Sequence, residues 1–375
     1  MSTEPVLVAA RRTPIGTAGH GFAGRTVTDL AAPVLAAVAG ALRDAGIDAP
    51  VDDVVLGNCL GPGGDPARVA ALQAGLGTEV PGVTVDRQCG SGLEAVIQAA
   101  LRVRSGADEL ILAGGAESAS TAPWRFWPPA AGAGPVRYTR APFAPPGFPD
   151  PDMGVAADDL ARVRGISRER QDEYAARSHT LAAAADFTAE IVPVAGVGRD
   201  ERIRRGMTTA RLARLRPSFG PDGTATAGNS CGISDGAAVV AVTTPRLAAG
   251  LPALRIAATA VAAGDPALPG LGPVPAIRKV LRRAGRTVSE VGVVEITEAF
   301  ASVVLAVADE LELDESLICP EGGAIAMGHP WGASGAVLLT RLASRMLRPD
   351  GPELGLAACA IGGGQGVAML LERTA

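Results

Sequence analysis

The stretch from Val83 to Ile97 reads Val-Thr-Val-Asp-Arg-Gln-Cys-Gly-Ser-Gly-Leu-Glu-Ala-Val-Ile, and it decides how the chain folds. Its first three residues are rich in β-branched side chains and predict a short buried strand. After a glycine-rich turn, apolar residues recur at helical spacing and predict a helix. Cys89 therefore lies at a helix N-terminus, where unpaired N–H groups favour a thiolate and lower the pKa of the thiol. This placement suits a nucleophile, although a small buried cysteine in a turn shows the same pattern.

A second glycine-rich turn near the other end of the chain carries a histidine. Residues 322–335 read Gly-Gly-Ala-Ile-Ala-Met-Gly-His-Pro-Trp-Gly-Ala-Ser-Gly, and an apolar helix is predicted to follow His329. Nucleophilic cysteine chemistry needs a base that takes the thiol proton and later returns it, and imidazole suits that role near neutral pH. A third glycine cluster, at 362–366, follows a strand predicted over Leu354–Ile361. Cys89 and His329 are therefore the candidate catalytic residues.

These motifs resemble those of the thiolase family, the acyl-CoA C-acyltransferases. The likeness covers nearly the whole chain and includes Ala10-Arg-Arg-Thr-Pro14, Gly114-Gly-Ala-Glu-Ser118 and Thr226-Ala-Gly-Asn229. The resemblance implies an α/β, thiolase-like fold, in which two βαβαβαββ halves pack as a five-layer α-β-α-β-α arrangement with an inserted loop domain. It divides the chain into a first half (1–118), a loop domain that covers coenzyme A and makes oligomer contacts (119–248), and a second half (249–375).

Composition and charge exclude several other classes of protein. The chain has 375 residues, 47% of them hydrophobic and only 3% aromatic, which suits an α/β enzyme. A net charge of -5 argues against nucleic-acid binding and against a polybasic membrane surface. The apolar stretch at 30–47 is predicted to be a core helix and not a membrane span. The ends of the chain carry neither a basic leader nor a peroxisomal signal. Five scattered cysteines predict a reduced, cytoplasmic setting without disulfides or a metal site: 59, 89, 231, 319 and 359.

The segment 123–151 is dense in proline, glycine and aromatic residues, so it is predicted to be a packed loop that acts as a lid or an oligomer contact. Downstream of it, Ser167 is predicted to be the N-cap of a helix. The resemblance implies that a coenzyme A thioester is the substrate and that no cofactor is permanently bound. It places Arg204 against the nucleotide end of coenzyme A. It also implies a homodimer or homotetramer, with a two-fold interface near 114–118. The other positions that match the family's substrate pocket are Met153, Phe219, Ala227, Cys231 and Phe300.

The resemblance also assigns catalytic roles, and here the chain departs from the family. The amides of Cys89 and Gly362 would hold the oxyanion, and His329 would bind the second thioester. Thr297 stands where the family has an asparagine that positions a water. Ala360 stands where the family has its second cysteine, the base that removes an α-proton. Cys359 comes one residue earlier and is expected to face away from the site as a core cysteine, unless the strand is bulged.

The predicted function is therefore thiolase-like acyl transfer through a thioester on Cys89, with the acceptor left open. The acceptor could be an ordinary acyl-CoA carbon, as in the family. Loss of the second cysteine base argues against that condensation and favours a more acidic carbon, an amine, a hydroxyl or a stabilised carbanion such as a decarboxylating malonyl unit. Two further alternatives are a non-catalytic subunit that binds acyl-CoA and a thioesterase-like hydrolase whose water is held by Thr297. The intact motifs around Cys89 and His329 favour the acyltransferase.

Overall fold

The computed structural model describes residues 4–129 and 131–374. The expectations about a leader and a targeting signal rest partly on residues 1–3 and 375, which lie outside the described residues. The first half contains β1 (Val6–Arg12), β2 (Gly16–Thr17), α1 (Val27–Asp44), β3 (Asp53–Gly57), α2 (Pro66–Gln73), β4 (Gly82–Val85), α3 (Ser91–Ser105) and β5 (Leu110–Glu117). The middle contains β6 (Arg125–Trp127), β7 (Val136–Tyr138), α4 (Met153–Arg164), α5 (Arg168–Ala184), α6 (Thr209–Leu212) and β8 (Ser234–Thr243). The second half contains β9 (Leu254–Ala263), α7 (Pro273–Ala284), β10 (Val293–Ile296), α8 (Ala301–Leu311), α9 (Ala324–Met327), α10 (Trp331–Met346), β11 (Leu354–Ile361) and β12 (Gln365–Arg373).

The strands form one sheet path in the order β10-β11-β12-β9-β1-β8-β5-β3-β4, with β2 paired to β8. The pairs β3–β4, β3–β5 and β10–β11 are parallel, and the other pairs along this path are antiparallel. Only two residue pairs, Val6 with Arg255 and Leu7 with Leu254, join β1 to β9. The path therefore consists of a first sheet, β4 to β1, and a second sheet, β9 to β10, that meet along a short edge.

Helices cover both sheets and fill the space between them. Helices α1 and α2 pack on the outer face of the first sheet, where they share a buried apolar cluster with β3, β5 and β8. Helices α3 and α10 lie between the sheets and contribute to a cluster that includes strands of both. Helices α7 and α8 cover the outer face of the second sheet. The predicted five-layer α-β-α-β-α arrangement is therefore confirmed.

The two central helices touch backbone to backbone because glycines stand at their contact. A Cβ on Gly92 of α3 would lie 2.8 Å from the backbone nitrogen of Ala336. A Cβ on Gly335 of α10 would collide with the backbone of Leu93. Only glycine permits so close an approach. The crossing fixes α3 and α10 against each other near their N-termini, which are the ends that carry the two sequence motifs.

The predicted packed loop at 123–151 contains a short hairpin, β6–β7, on which the rings of Trp127 and Tyr138 stack 4.6 Å apart. Several of its aromatic side chains are exposed, and Trp124 is the most exposed of them at 71%. Downstream, Ser167 caps α5, as predicted, by accepting a hydrogen bond from the backbone N–H of Arg170.

Two features of the fold bear on the predicted membrane and interface properties. The stretch at 30–47 contains most of α1, a helix with one face buried against the first sheet. Across residues 4–129 and 131–374, the helices are too short or too polar to pass through a bilayer. Strand β5, which carries most of the 114–118 motif, is fully buried between β3 and β8. The strand at the edge of the first sheet is β4, and the two-fold interface expected near 114–118 and its surroundings stays a prediction.

Buried charges connect the first strand, the middle segment and α10. Arg12 donates hydrogen bonds to Glu190 at 2.7 Å and to both oxygens of Asp200 at 2.7 and 2.9 Å. Arg341 of α10 donates to the second oxygen of Glu190 and also to Glu321. The side chains of Arg12 and Arg341 are at most 1% exposed. A buried charge is tolerated only when it is paired in this way, so these five groups depend on each other.

Candidate active site

Cys89 lies in a short 3-10 turn, Gln88–Gly90, between β4 and α3. Gln88 has a φ of 49°, in the left-handed region that side chains other than glycine rarely adopt. Ser91 fixes the turn, because its Oγ accepts from the N–H of Arg87 at 2.8 Å and donates to the carbonyl of Gln88 at 2.6 Å. The predicted strand-to-helix position of Cys89 is confirmed.

The expected lowering of the Cys89 pKa is wrong. Burial of the thiol raises its pKa well above the ordinary value, and the nearby thiols of Cys359 and Cys231 raise it further. The desolvation of a thiolate here therefore outweighs the favourable field of the helix N-terminus. A neutral thiol is the resting form, so the nucleophile needs a base.

His329 is buried at the start of α10 and has the properties of such a base. Its Nδ1 lies 2.5 Å from the hydroxyl of Ser334, while its Nε2 is buried and has no hydrogen-bond partner among the described residues. Burial lowers the pKa of His329 to about 4, so the ring is neutral at pH 7. With Nδ1–H donating to Ser334, Nε2 is free to accept a proton. The sequence motif contained Ser334, but its spacing gave no sign of this role.

A buried carboxylate positions the helix that follows His329. Glu117, at the end of β5, accepts hydrogen bonds from the backbone of Gly332 at 3.0 Å and of Cys59 and Leu60 at 3.1 Å. It also accepts from the side chain of Asn58 at 2.9 Å. Glu117 is fully buried, and burial raises its pKa. The motif at 114–118 contains Glu117, but the sequence gave no sign of this positioning role, which depends on contacts 59 and 215 residues away.

A second buried carboxylate positions the segment before His329. Glu298 accepts hydrogen bonds from Tyr174 at 2.8 Å, from Ser178 at 2.7 Å and from the backbone N–H of Ile325 at 3.0 Å. It therefore ties α9 to α5. The preceding residue, Thr297, has a buried hydroxyl without a hydrogen-bond partner among the described residues. This unpartnered hydroxyl suits the predicted role of holding a water.

The strand that carries Cys359 differs from the expectation. Strand β11 pairs with β12 without a register shift from Leu354 to Ile361, so it has no bulge. Nevertheless the Sγ of Cys359 lies 3.1 Å from the carbonyl oxygen of Cys89. Burial raises the pKa of Cys359 to about 12, and the neighbouring Thr297 hydroxyl opposes that shift. Cys359 is a buried core cysteine, but the expectation that it faces away from the site is wrong. Ala360 is half-buried on the other face and packs against the outer cluster.

Gly362 lies in the turn after β11, close to the nucleophile. A Cβ at this position would collide with the side-chain oxygen of Gln88 and with the ring of Phe143. Gly362 is therefore in contact with two other parts of the chain, the turn that precedes the nucleophile and the 123–151 segment. The structure thus brings together Cys89, Cys359 and Gly362 around the N-terminus of α3.

Comparison with known proteins agrees with this arrangement. The model of the thiolase N-terminal domain matches residues 5–245, and that of the thiolase C-terminal domain matches residues 251–373. The chain belongs to the thiolase family. A putative acetyl-CoA C-acetyltransferase, VraB, from Staphylococcus haemolyticus is 41% identical, and an acetyl-CoA acetyltransferase from Pseudomonas aeruginosa is 42% identical. Each alignment covers 99% of both chains. The crystal structure of the Bacillus anthracis acetyl-CoA acetyltransferase superposes with a TM-score of 0.90 at 36% identity and covers 99% of each chain.

Family membership confirms the predicted family and makes this thiolase an acyltransferase. Several of the predicted substrate-pocket residues lie together. The rings of Phe219 and Phe300 meet edge to face at 5.7 Å, and a Cβ on Gly154, beside Met153, would collide with Phe219. The backbone N–H of Cys231 donates to the carbonyl of Ala299, next to Phe300, at 2.9 Å.

The two remaining predicted substrate residues of this thiolase are exposed. Ala227 lies in a turn that is closed by a hydrogen bond of 2.7 Å from the backbone of Thr226 to the side chain of Asn229. Arg204 lines a cleft of about 1200 Å³, which is formed mainly by residues 182–205.

Proposed function

We propose that this thiolase forms an acyl thioester on Cys89 from an acyl-CoA, in the manner of an acetyl-CoA C-acetyltransferase, and passes the acyl group to a second CoA thioester. The observation that carries the proposal is the backbone contact of α3 and α10, which holds the Cys89 and His329 turns at neighbouring helix ends. The names of the relatives, acetyl-CoA acetyltransferases that align over the full length, support the substrate class.

The acylation step follows from the protonation states of the two residues. The Sγ of Cys89 attacks the thioester carbonyl while the Nε2 of His329 takes the thiol proton, and Ser334 accepts the Nδ1–H of the resulting cation. The amides of Cys89 and Gly362 hold the oxyanion, and such donors contribute a few kcal/mol each to transition-state stabilisation. The departing CoA thiolate takes its proton from Cys359, which becomes a thiolate.

The second step uses that thiolate as the base. Cys359 removes an α-proton from the second thioester, whose oxygen is bound by His329 and by a water on Thr297. The carbanion then attacks the acyl group, and the Cys89 thiolate that leaves recovers its proton from His329. The contact of Cys359 with the backbone of Cys89 supports a carbon acceptor over an amine or a hydroxyl, because it supplies the base that the sequence seemed to lack.

Mass spectrometry of the intact protein after incubation with acetyl-CoA tests the proposal. We expect one acetyl group per chain, which peptide mapping places on Cys89, and release of acetoacetyl-CoA when more acetyl-CoA is added. A label on Cys231 or Cys359 with none on Cys89 would contradict the proposed nucleophile.

The remaining expectations complete the proposal. Coenzyme A binds through Arg204, and Arg204→Ala weakens CoA binding more than Arg162→Ala does.

The chain is organised as two halves (1–118 and 249–375) around a loop domain (119–248). It forms a homodimer or homotetramer, with the edge strand β4 as the pairing surface; a stable monomer at micromolar concentration in light scattering would refute the assembly. Five free cysteines support a cytoplasmic setting.

A further inference from the structure

Arg202 lies next to the backbone that supports the catalytic histidine. A Cβ on Gly232 would collide with the Cζ, Nη1 and Nε atoms of Arg202, so the guanidinium packs directly on that glycine. The carbonyl of Gly232 accepts a hydrogen bond from the backbone N–H of His329 at 3.3 Å. Cys231, whose thiol affects the pKa of Cys89, is the preceding residue. The segment that contains Cys231 and Gly232 therefore lies between the guanidinium of Arg202 and the backbone of His329.

Arg202 has no acidic partner within the described part of the chain, although two acidic residues precede it. Asp200 is held by Arg12. Glu201 accepts hydrogen bonds from the backbone of Thr17 at 2.8 Å and of Gly21 at 3.1 Å. The Nε of Arg202 is buried and makes no hydrogen bond with any described residue. A partly buried cation without a counter-charge is unfavourable, so the site is suited to receive an anion.

The surroundings of Arg202 strengthen this conclusion. Arg202 lines the same cleft of about 1200 Å³ as Arg199, Arg204 and Arg205. His179 of α5 is 4% exposed, and its Nδ1 also lacks a hydrogen-bond partner in the described structure. Burial, followed by the charges of Arg204 and Arg202, lowers the pKa of His179 to about 4, so this ring is neutral at pH 7. The cleft thus offers several cationic groups, and a buried imidazole nitrogen without a described partner belongs to a ring that interacts with two of them, Arg204 and Arg202.

We propose that Arg202 binds a carboxylate at the end of the acyl group and that it thereby selects among acyl-CoA substrates. The inference rests on the proposed function, because it takes the substrate to be a CoA thioester. Guanidinium forms paired hydrogen bonds with carboxylate and phosphate alike. The position of Arg202 on Gly232, next to the backbone of His329, favours a carboxylate on the acyl group, and a phosphate of coenzyme A is the alternative that the experiment separates.

The experiment compares Arg202→Gln with a matched control, Arg205→Gln, which removes an exposed arginine from the same cleft. Both are made in a Cys89→Ser background, and calorimetry measures the affinities of succinyl-CoA, butyryl-CoA, acetyl-CoA and acetyl-dephospho-CoA. If a carboxylate is bound, Arg202→Gln weakens succinyl-CoA binding about 10–100-fold and leaves butyryl-CoA within about 3-fold. A loss of affinity for acetyl-CoA but not for acetyl-dephospho-CoA would place Arg202 on the 3′-phosphate and overturn the proposal. A loss for all four CoA thioesters, with unchanged binding of the phosphate-free S-acetyl-N-acetylcysteamine, would place Arg202 on the diphosphate and also overturn it.

An equal loss for every ligand, including the phosphate-free thioester, would overturn the proposal, and so would an unchanged affinity for all of them. Arg202→Lys separates charge from shape, since it should recover part of the affinity for the charged ligand. Binding in the Cys89→Ser background does not depend on turnover. Failure of the proposed acyl transfer would instead appear as a wild-type protein that is not acetylated.

Discussion

The turn that holds Cys89 and the turn that holds His329 both precede a helix of the central layer, but they are fixed in different ways. The Cys89 turn is fixed by Ser91, which bonds to residues three and four positions before it. The His329 turn is fixed by Glu117 and Glu298, which reach the adjoining backbone from 215 and 27 positions away. The nucleophile is thus placed by local structure, whereas the base is placed by tertiary structure.

Removing the two reacting groups themselves should give the largest effects. Cys89→Ser should lower the acylation rate by about 10⁴-fold or more, because the nucleophile is replaced by a much weaker one. His329→Ala should lower it about 10²–10⁴-fold, since only the proton transfer is lost. Single-turnover mass spectrometry with acetyl-CoA measures both rates, and circular dichroism checks that each variant is folded. A His329→Ala variant that acylates at the wild-type rate would remove the histidine from the chemistry.

The position of Cys359 provides the next test. Cys359→Ala should reduce thiolysis of acetoacetyl-CoA by about 10²–10⁴-fold and leave acylation of Cys89 within a few-fold, because a CoA thiolate can depart unprotonated whereas the α-carbon needs Cys359 for its proton transfer. Cys231→Ala is the control, since it removes another thiol near Cys89. Thiolysis that survives in the first variant and disappears in the second would assign the base to Cys231.

Breaking one tether in each turn compares the two directly. Glu117→Gln places an amide donor against backbone N–H groups in either orientation, so it should destabilise the fold by about 1–3 kcal/mol. It should also reduce kcat about 10–100-fold with little change in KM, because α10 shifts relative to the nucleophile. Ser91→Ala should cost about 1 kcal/mol and change kcat less. Urea unfolding measures the free energy of unfolding of each variant, and steady-state kinetics measures its kcat. Equal losses of kcat in the two variants would contradict the claim that the two turns are fixed in different ways.

The two turns should also differ in how pH affects stability. The folded pKa of His329, about 4, lies below its ordinary value, so its contribution is complete above pH 6.5 and is lost as pH falls toward 4. The folded pKa of Cys89 is raised, so its contribution is complete below the ordinary thiol pKa and is lost as pH rises above it. The contribution of His329 is on the order of 3 kcal/mol.

Burial also raises the pKa of Glu295 to about 8. Between pH 4.5 and 6.5, Glu295 therefore lowers the folding stability as pH rises, whereas His329 raises it. The stability difference between wild type and each variant isolates the contribution of the substituted residue. Denaturant unfolding of wild type, His329→Gln and Cys89→Ser at pH 5, 7 and 9.5 measures these differences. The histidine variant should differ from wild type in its acid-side slope, and the cysteine variant in its alkaline-side slope. Parallel stability curves for wild type and variants would contradict both pKa shifts.

The comparison also explains how much the sequence could predict. The strand-to-helix turn at Cys89, the glycine-rich turn at His329 and the cap at Ser167 are local patterns, and each was predicted. Strand β8 was not predicted, although its ten residues lie inside the first sheet. Nothing in its own sequence identifies its partners β1 and β5.

The errors concern properties that depend on neighbours from distant parts of the chain. The pKa of Cys89 is raised because protein surrounds its thiol, which the helix position alone does not reveal. Cys359 was placed by counting back from the glycine cluster, but its direction is set by how β11 packs on the central layer. The roles of Glu117 and Glu298 require contacts that no spacing in the sequence displays.

The buried charges around Arg12 have a consequence for synthesis of the protein. Arg12 leaves the ribosome long before Arg341, the residue that completes the pairing of Glu190. At a translation rate of about 5–20 residues per second, the interval between them is roughly 15–65 s. During that time the nascent first sheet cannot bury all of these charges in their final pairs. The unpaired charges therefore oppose burial of this part of the chain until α10 has emerged from the ribosome.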